Sequence, residues 1–231
     1  MSIEKKIPSG SEAIDQLLDG GYEPDTITVI YGPSGSGKTN LCLCALASIA
    51  QKKKAIFMDT EGGFSALRLA QIAGNSERIM KNVFFLQPTT FEEQRADFKK
   101  MKELVGEEIG IIIIDTISTL YRVERNEEDI REMNNSLGKQ LNYLSQIARK
   151  KHIPVVVTSQ VYSDFEDRGK IKMVGGDIVR YSGKCLIELQ YENGVRTAIL
   201  RKHRSLPESR QVFFEIRDKG VFLAKRKFSI F

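Results

Sequence analysis

Eight residues constrain this chain more than any others: Gly32-Pro33-Ser34-Gly35-Ser36-Gly37-Lys38-Thr39 follows the pattern of a glycine, four residues, then Gly-Lys-Thr. Glycines at those places let backbone N–H groups converge on phosphate oxygens, the lysine is long enough to reach the β- and γ-phosphates, and the hydroxyl can ligate Mg²⁺. The flanks suit this chemistry. Thr26 to Tyr31 is a β-branched run that reads as a strand, and Asn40 to Gln51 is apolar and helix-compatible, so the loop joins a strand to a helix. ATP and Mg²⁺ are the expected cofactors, with Gly32 to Thr39 (Gly32, Pro33, Ser34, Gly35, Ser36, Gly37, Lys38 and Thr39) holding the nucleotide.

A strand leading into such a loop implies neighbours of the same kind. Ala55 to Met58, Val83 to Leu86, Ile111 to Ile114 and Val155 to Thr158 read as further buried strands. Helices are expected between them at Phe64 to Ala73, Phe91 to Val105 and about Glu127 to Lys150. The last of these carries Asn126 as a candidate cap, with acids at its start and Arg149, Lys150 and Lys151 at its end, as the helix dipole favours. Apolar strands alternating with helices give a parallel sheet covered on both faces. Beyond Gly183 the spacing shortens to hairpin-like connections at Glu192-Asn193-Gly194, Leu206-Pro207 and Lys219-Gly220. The expected fold is therefore α/β, a mostly parallel sheet flanked by helices with antiparallel strands at the C-terminal end. No repeat or linker interrupts the 231 residues, so a single domain over 1–231 is expected.

Two carboxylates stand where the metal and the attacking water belong. Asp115 closes the run Ile111 to Ile114 at the carboxyl edge of a strand, where it can act with Thr39 on Mg²⁺. Glu61 follows the second strand in Asp59-Thr60-Glu61-Gly62-Gly63, on the same edge, where it can orient water; Asp59 competes for that role. Gln160 follows the strand at Val155 and on its own reads as an ordinary loop glutamine. Cys42 and Cys44 sit two apart on a helix and face different ways, and Cys185 stands alone in a strand, so all three are expected in the core.

Several segments, taken in order, resemble the core of the RecA-like recombinases. They are Ile7-Pro8-Ser9-Gly10, Leu17-Leu18-Asp19-Gly20-Gly21, the phosphate loop, Met58 to Phe64, Ile114 to Arg122, Val157 to Val161 and Val174-Gly175-Gly176-Asp177. The fit is best with a short archaeal paralogue. The resemblance implies a RecA-like P-loop ATPase core with Glu61, Lys38 and Gln160 as catalytic residues, Gln160 coupling the γ-phosphate to the following loop. It implies DNA loops near Arg122 to Arg131 and Val161 to Val174, and Arg201 and Lys202 as cations offered to a neighbouring subunit's phosphates. Full recombinases carry an amino-terminal helical DNA-binding domain and a docking linker, for which the ten residues before this core leave no room. The acids in both loops argue against autonomous strand exchange.

Charge then singles out one end of the chain. Residues 201–231 carry nine Lys and Arg against three acids, in a chain whose net charge is +5, so the excess is confined to this stretch. Lys225, Arg226 and Lys227, beside Phe228, form a candidate grip on phosphates with an aromatic to stack on an unpaired base, and Arg168, Lys170 and Lys172 are the loop candidates. Such contacts favour single-stranded DNA with little sequence preference. The longest aliphatic run is four residues and mean hydropathy is −0.27, which excludes a spanning helix. The odd, unpaired cysteines suit a reducing cytoplasm.

The expected function is an ATP- and DNA-binding recombinase paralogue in DNA repair and homologous recombination, a weak DNA-dependent ATPase at most. The resemblance implies the main archaeal recombinase, a Holliday-junction resolvase and a second copy of the chain as partners. The alternatives are an ATP-switched mediator that binds protein without using DNA, and a RecA-like signalling ATPase.

Overall fold

A computed structural model describes residues 5–125, 128–163 and 171–224. Of the expected DNA-contacting set, Lys225, Arg226, Lys227, Arg168 and Lys170 lie outside these residues. The chain runs α1 (Glu12–Leu17), β1 (Ile27–Tyr31), α2 (Lys38–Ile49), β2 (Lys54–Asp59), α3 (Ala66–Ala73), α4 (Ser76–Met80), β3 (Val83–Leu86), α5 (Phe91–Leu104) and β4 (Ile109–Asp115). It continues through α6 (Thr119–Glu124), α7 (Ile130–Lys151), β5 (Val155–Ser159), β6 (Val161–Ser163), β7 (Ile171–Met173) and α8 (Gly176–Ser182), and closes with β8 (Cys185–Glu192), β9 (Val195–Lys202), β10 (Gln211–Arg217) and β11 (Gly220–Leu223).

The described residues form one nine-stranded sheet in the order β11-β10-β9-β8-β1-β5-β4-β2-β3, with β6 and β7 as a separate pair. Strands β3, β2, β4, β5, β1 and β8 are parallel, and β8 to β11 are antiparallel, as the change of spacing beyond Gly183 anticipates. The hairpin between β8 and β9 turns on Asn193 at φ 50° and Gly194 at φ 78°, the left-handed pair that a tight turn matched to strand twist demands.

Alternation along each strand divides the core in two. Ile30, Val156, Ile111, Ile113, Phe57 and Ile187 point to the face covered by α1, α2 and α3. Val29, Tyr31, Ile112, Ile114, Val155, Val157 and Met58 point to the face covered by α5, α7 and α8. Helix α2 has no polar stripe, because the sheet, α3 and the C-terminal strands enclose it; Leu41 through Ala47 are buried without interruption. Cys42, Cys44 and Cys185 are free thiols in this core. Burial pushes the Cys44 thiol up to about 11 and the Cys185 thiol up to about 12, so both stay protonated and inert near neutrality.

Two helix starts differ from the sequence expectation. Helix α3 begins at Ala66 rather than Phe64, because the Phe64 amide donates to Asp59 and its ring packs against Phe57 and Phe85, leaving Ser65 to cap by accepting from the Arg68 N–H. The long helix begins at Ile130 rather than near Glu127, and a separate short helix, α6, precedes it. Contacts distant in sequence fix this break: the Glu124 carboxylate accepts from the Phe91 amide at 2.7 Å, and the Tyr121 hydroxyl donates to Asn134 at 2.5 Å. Asn126 and Glu127, the expected cap and first turn, lie outside the described residues.

Candidate functional site

Parallel pairing brings four strand ends to one edge of the sheet. Register sets Tyr31 level with Ser159, Ile114 with Val157, and Asp59 with Asp115. The phosphate loop therefore emerges from β1 beside Gln160 from β5, Asp115 from β4 and Glu61 from β2. This is where ligands of open α/β sheets gather.

The loop itself owes its shape to glycine. Gly35 and Gly37 stand at φ 73° and 113°, left-handed values that turn the backbone around an interior point, and Gly37 precedes α2 without any side-chain cap. Gly32 lies so close to β8 that a Cβ would come within 2.4 Å of the Leu189 carbonyl oxygen. Ser36 is fully buried, and its Oγ has no partner among the described residues. Lys38, nearly buried, donates to the carbonyls of Gly32 and Pro33, both at 2.9 Å. Burial lowers its pKa, and the carboxylates of Glu61 and Asp115 oppose that shift.

Asp115 is buried at the end of β4, where it accepts from Thr158 Oγ1 at 2.5 Å and from Thr39. Burial raises its carboxyl pKa more than these hydrogen bonds lower it, and Glu61 and Asp59 raise it further. Carboxylates crowded in this way beside the Thr39 hydroxyl suit a divalent cation, whose charge favours their ionised form. The uncapped α2 terminus, the orphaned Ser36 hydroxyl, Lys38 and the Thr39–Asp115 pair together fit a Mg²⁺-nucleotide.

The two carboxylates that compete in sequence are separated by their partners. Asp59 Oδ1 accepts from the amides of Glu61 and Gly63, and its Oδ2 from that of Phe64, so Asp59 is engaged in shaping the turn. Glu61 is exposed, and its Oε1 accepts from Gln160 Nε2 at 2.7 Å, Thr119 Oγ1 at 2.5 Å and Thr116 Oγ1 at 3.3 Å. Glu61 and Gln160 are thus brought into direct contact across 99 residues of sequence.

Arg201 and Lys202 lie elsewhere. Arg201 Nε donates to the buried Glu188 at 2.8 Å, where the Tyr31 hydroxyl also donates at 3.3 Å, and Lys202 donates to the Gly183 carbonyl. Both line a cavity of about 710 Å³ with Lys172, Arg180, Tyr162 and Tyr181, on the sheet face opposite α2. Lys172, the one member of the Arg168, Lys170 and Lys172 set among the described residues, is thus grouped with them and not with the phosphate loop.

Two arginines beside the loop escaped sequence reasoning. Arg68 of α3 donates to Asn40 at 2.8 Å and to the carbonyls of Arg217 and Asp218, tying the β10–β11 turn to the start of α2. Arg196 stacks at 4.1 Å on the Tyr191 ring and reaches the Gly35 carbonyl at 3.5 Å. Partners some 150 residues away leave no local pattern by which to find such residues.

Residues 3–223 match the family model described as Rad51. Proteins named DNA repair and recombination protein RadB are similar over almost their whole length. That of Methanobrevibacter smithii is 40% identical over 94% of this chain and 95% of its own, and that of Methanococcoides burtonii 39% identical over 95% and 99%. The Archaeoglobus fulgidus protein of that name is 37% identical over 93% and 97%. A solved structure described as the RadB recombinase superposes with a TM-score of 0.81 at 34% identity, covering 94% of this chain and 99% of that one.

Proposed function

The chain belongs to the Rad51 family, and from that premise we propose that it is an archaeal recombinase paralogue that binds Mg²⁺-ATP and DNA in DNA repair and homologous recombination. Residues 1–231 act as one ATPase core, working with the main recombinase and a Holliday-junction resolvase in the cytoplasm. The observation that carries this reading is the meeting of Lys38, Thr39, Asp115, Glu61 and Gln160 at one sheet edge. No described helix is long and apolar enough to cross a membrane.

Each residue has a definable task. Backbone N–H groups of Gly32 to Thr39 and the Lys38 ammonium take the phosphate oxygens, and Thr39 with Asp115 would hold Mg²⁺, which would neutralise phosphate charge. Glu61 accepts a proton from water as the water oxygen bonds to the γ-phosphorus and the β–γ bridging bond breaks. Gln160 touches Glu61 at one end and begins the loop over residues 161–174 at the other, so strand contact with that loop reaches the water-activating group. Turnover is slow in the isolated chain: a cation from outside the site can contribute roughly 10³- to 10⁵-fold in rate, whereas Arg201 and Lys202 are engaged with Glu188 and Gly183.

Glu61→Gln tests the chemistry, because it keeps the shape and removes the base. Nucleotide affinity is expected to hold while single-turnover hydrolysis falls roughly 10²- to 10⁴-fold. Unchanged hydrolysis would remove Glu61 from the reaction. DNA contact is assigned to Lys225, Arg226 and Lys227 together with Arg168, Lys170 and Lys172, and is tested by titrating labelled single-stranded DNA across salt with the Lys225/Arg226/Lys227→Ala variant. Loss of three phosphate contacts should flatten the log-log salt dependence by about 2, at about 0.7 per contact. An unaltered slope would place the DNA site away from this end of the chain and favour the protein-binding mediator.

A further inference from the structure

The amino ends of three neighbouring strands gather cations from separate segments of the chain. Strands β2, β4 and β5 are parallel and adjacent, so the residues before each lie side by side at the sheet edge opposite the phosphate loop. Lys52, Lys53 and Lys54 lead into β2, Glu107 and Glu108 precede β4, and Arg149, Lys150 and Lys151 end α7 just before β5. The seven residues of β4 set this edge roughly 20 Å from Asp115, at about 3.3 Å per residue. Six cations thus face two acids.

One carboxylate joins the segments. Lys151 Nζ donates to Glu107 at 2.5 Å, which lowers the Glu107 pKa, and the Lys53 charge adds to that shift, so cations from both sides converge there. Glu108 lies 3.9 Å from Lys54 Nζ. Both acids are then engaged, and the exposed Lys52, Lys53, Arg149 and Lys150 have no ion-pair partner among the described residues. A helix dipole favours the three bases in the last turn of α7. It does not account for Lys52 and Lys53, which lie beyond the end of α2.

This edge is polar throughout. None of the exposed large apolar side chains among the described residues lies in these segments. A peptide partner would need an apolar anchor, and an unpaired strand would need an aromatic to stack on. A duplex needs only charge. It presents one phosphate per about 1.7 Å of axis, and three strands about 4.8 Å apart spread the unpaired cations over roughly 10 Å.

We propose that the amino edge of β2, β4 and β5 is a further polyanion site, which takes the phosphate backbone of double-stranded nucleic acid through Lys52, Lys53, Arg149 and Lys150. It is separate from the nucleotide edge and from the single-strand contacts assigned above, so its occupancy does not depend on ATP. A count of charge along the chain misses it, because segments about fifty residues apart supply it.

Lys52/Lys53/Lys150→Gln removes three charges and keeps polar side chains. Lys99/Lys102/Lys139→Gln removes three from exposed positions on α5 and α7 and serves as the control of equal net charge. With full-length protein, a fluorescent blunt-ended hairpin duplex is titrated across salt, with and without Mg²⁺-ATP. The edge variant should flatten the log-log salt dependence by about 2 to 3, at about 0.9 per contact, while the control keeps the wild-type slope and ATP alters neither. Equal flattening in both variants would show a response to net charge alone and overturn the site, as would an unaltered slope in the edge variant. Poly-glutamate binding lost by the edge variant with duplex binding kept would overturn it in favour of an acidic protein partner. These readouts use a duplex, whereas the proposed function is read on nucleotide and single strands, so each can fail alone.

Discussion

Lys38→Ala is expected to weaken ATP binding roughly 10²- to 10⁴-fold, since hydrogen bonds to charged groups contribute about 1.5–3 kcal/mol each and the ammonium can reach two phosphates. The fold itself should tolerate the change. In the free protein Lys38 is a nearly buried ammonium whose pKa burial has lowered, and its partners are two loop carbonyls. Removing such a group relieves desolvation while losing two hydrogen bonds, so the two terms oppose each other. Thermal unfolding separates binding from folding. Ligand at a hundredfold excess over Kd stabilises the wild type by about 2.7 kcal/mol, and the variant should show its own midpoint nearly unmoved but no response to Mg²⁺-ATP. A full ATP-dependent shift in the variant would place the phosphates elsewhere.

Gly10→Ala is expected to cost roughly 2–4 kcal/mol, from a left-handed backbone of about 1 kcal/mol and an overpacking cost of about 1–3 kcal/mol. At φ 75°, a Cβ on Gly10 would come within 2.2 Å of the Cys44 carbonyl oxygen and 3.0 Å of Ser48 Cβ, both on α2. Neither side can yield easily. Helix α2 is enclosed by sheet and strands, and the segment around Gly10 is held by buried serines, Ser9 donating to the Ser11 carbonyl and Ser11 to that of Val221, each at 3.0 Å. For a domain of this size the midpoint should fall by roughly 5–15 °C, at about 2–4 °C per kcal/mol. Gly194→Ala gives the comparison. Its φ is 78° but nothing lies within 4 Å of its Cβ, so only the conformational cost of about 1 kcal/mol applies. Equal losses at the two positions would show that contact with α2 carries no weight.

Gly10 also shows how a sequence signal can be visible without its reason. Ile7-Pro8-Ser9-Gly10 is part of the family resemblance, but nothing local says why glycine stands there; the reason is the backbone of a helix more than thirty residues on. The strands and the larger helices were legible because each is a local pattern. Aliphatic runs marked β1, β2, β4 and β5, and acids and bases at opposite ends marked α7. Short elements such as α6 and α8 were not legible, since six or seven residues cannot carry a helical period, and tertiary contacts hold them in place.

The candidate site divides along the same line. The sequence by itself determined the phosphate loop, the carboxylate that closes β4 and the order of elements, because glycine geometry, strand periodicity and strand-to-helix alternation act over a few residues at a time. Only the tertiary structure told Asp59 and Glu61 apart by their partners, since one carboxylate binds its own turn and the other meets Thr119 and Gln160 from distant segments. Only it joined Arg201 to Glu188 and Arg68 to the β10–β11 turn. The physical reason is range. Backbone conformation is governed by near neighbours, whereas a hydrogen bond or ion pair forms only when distance and angle are met, and for partners up to 150 residues apart those are set by strand register and packing.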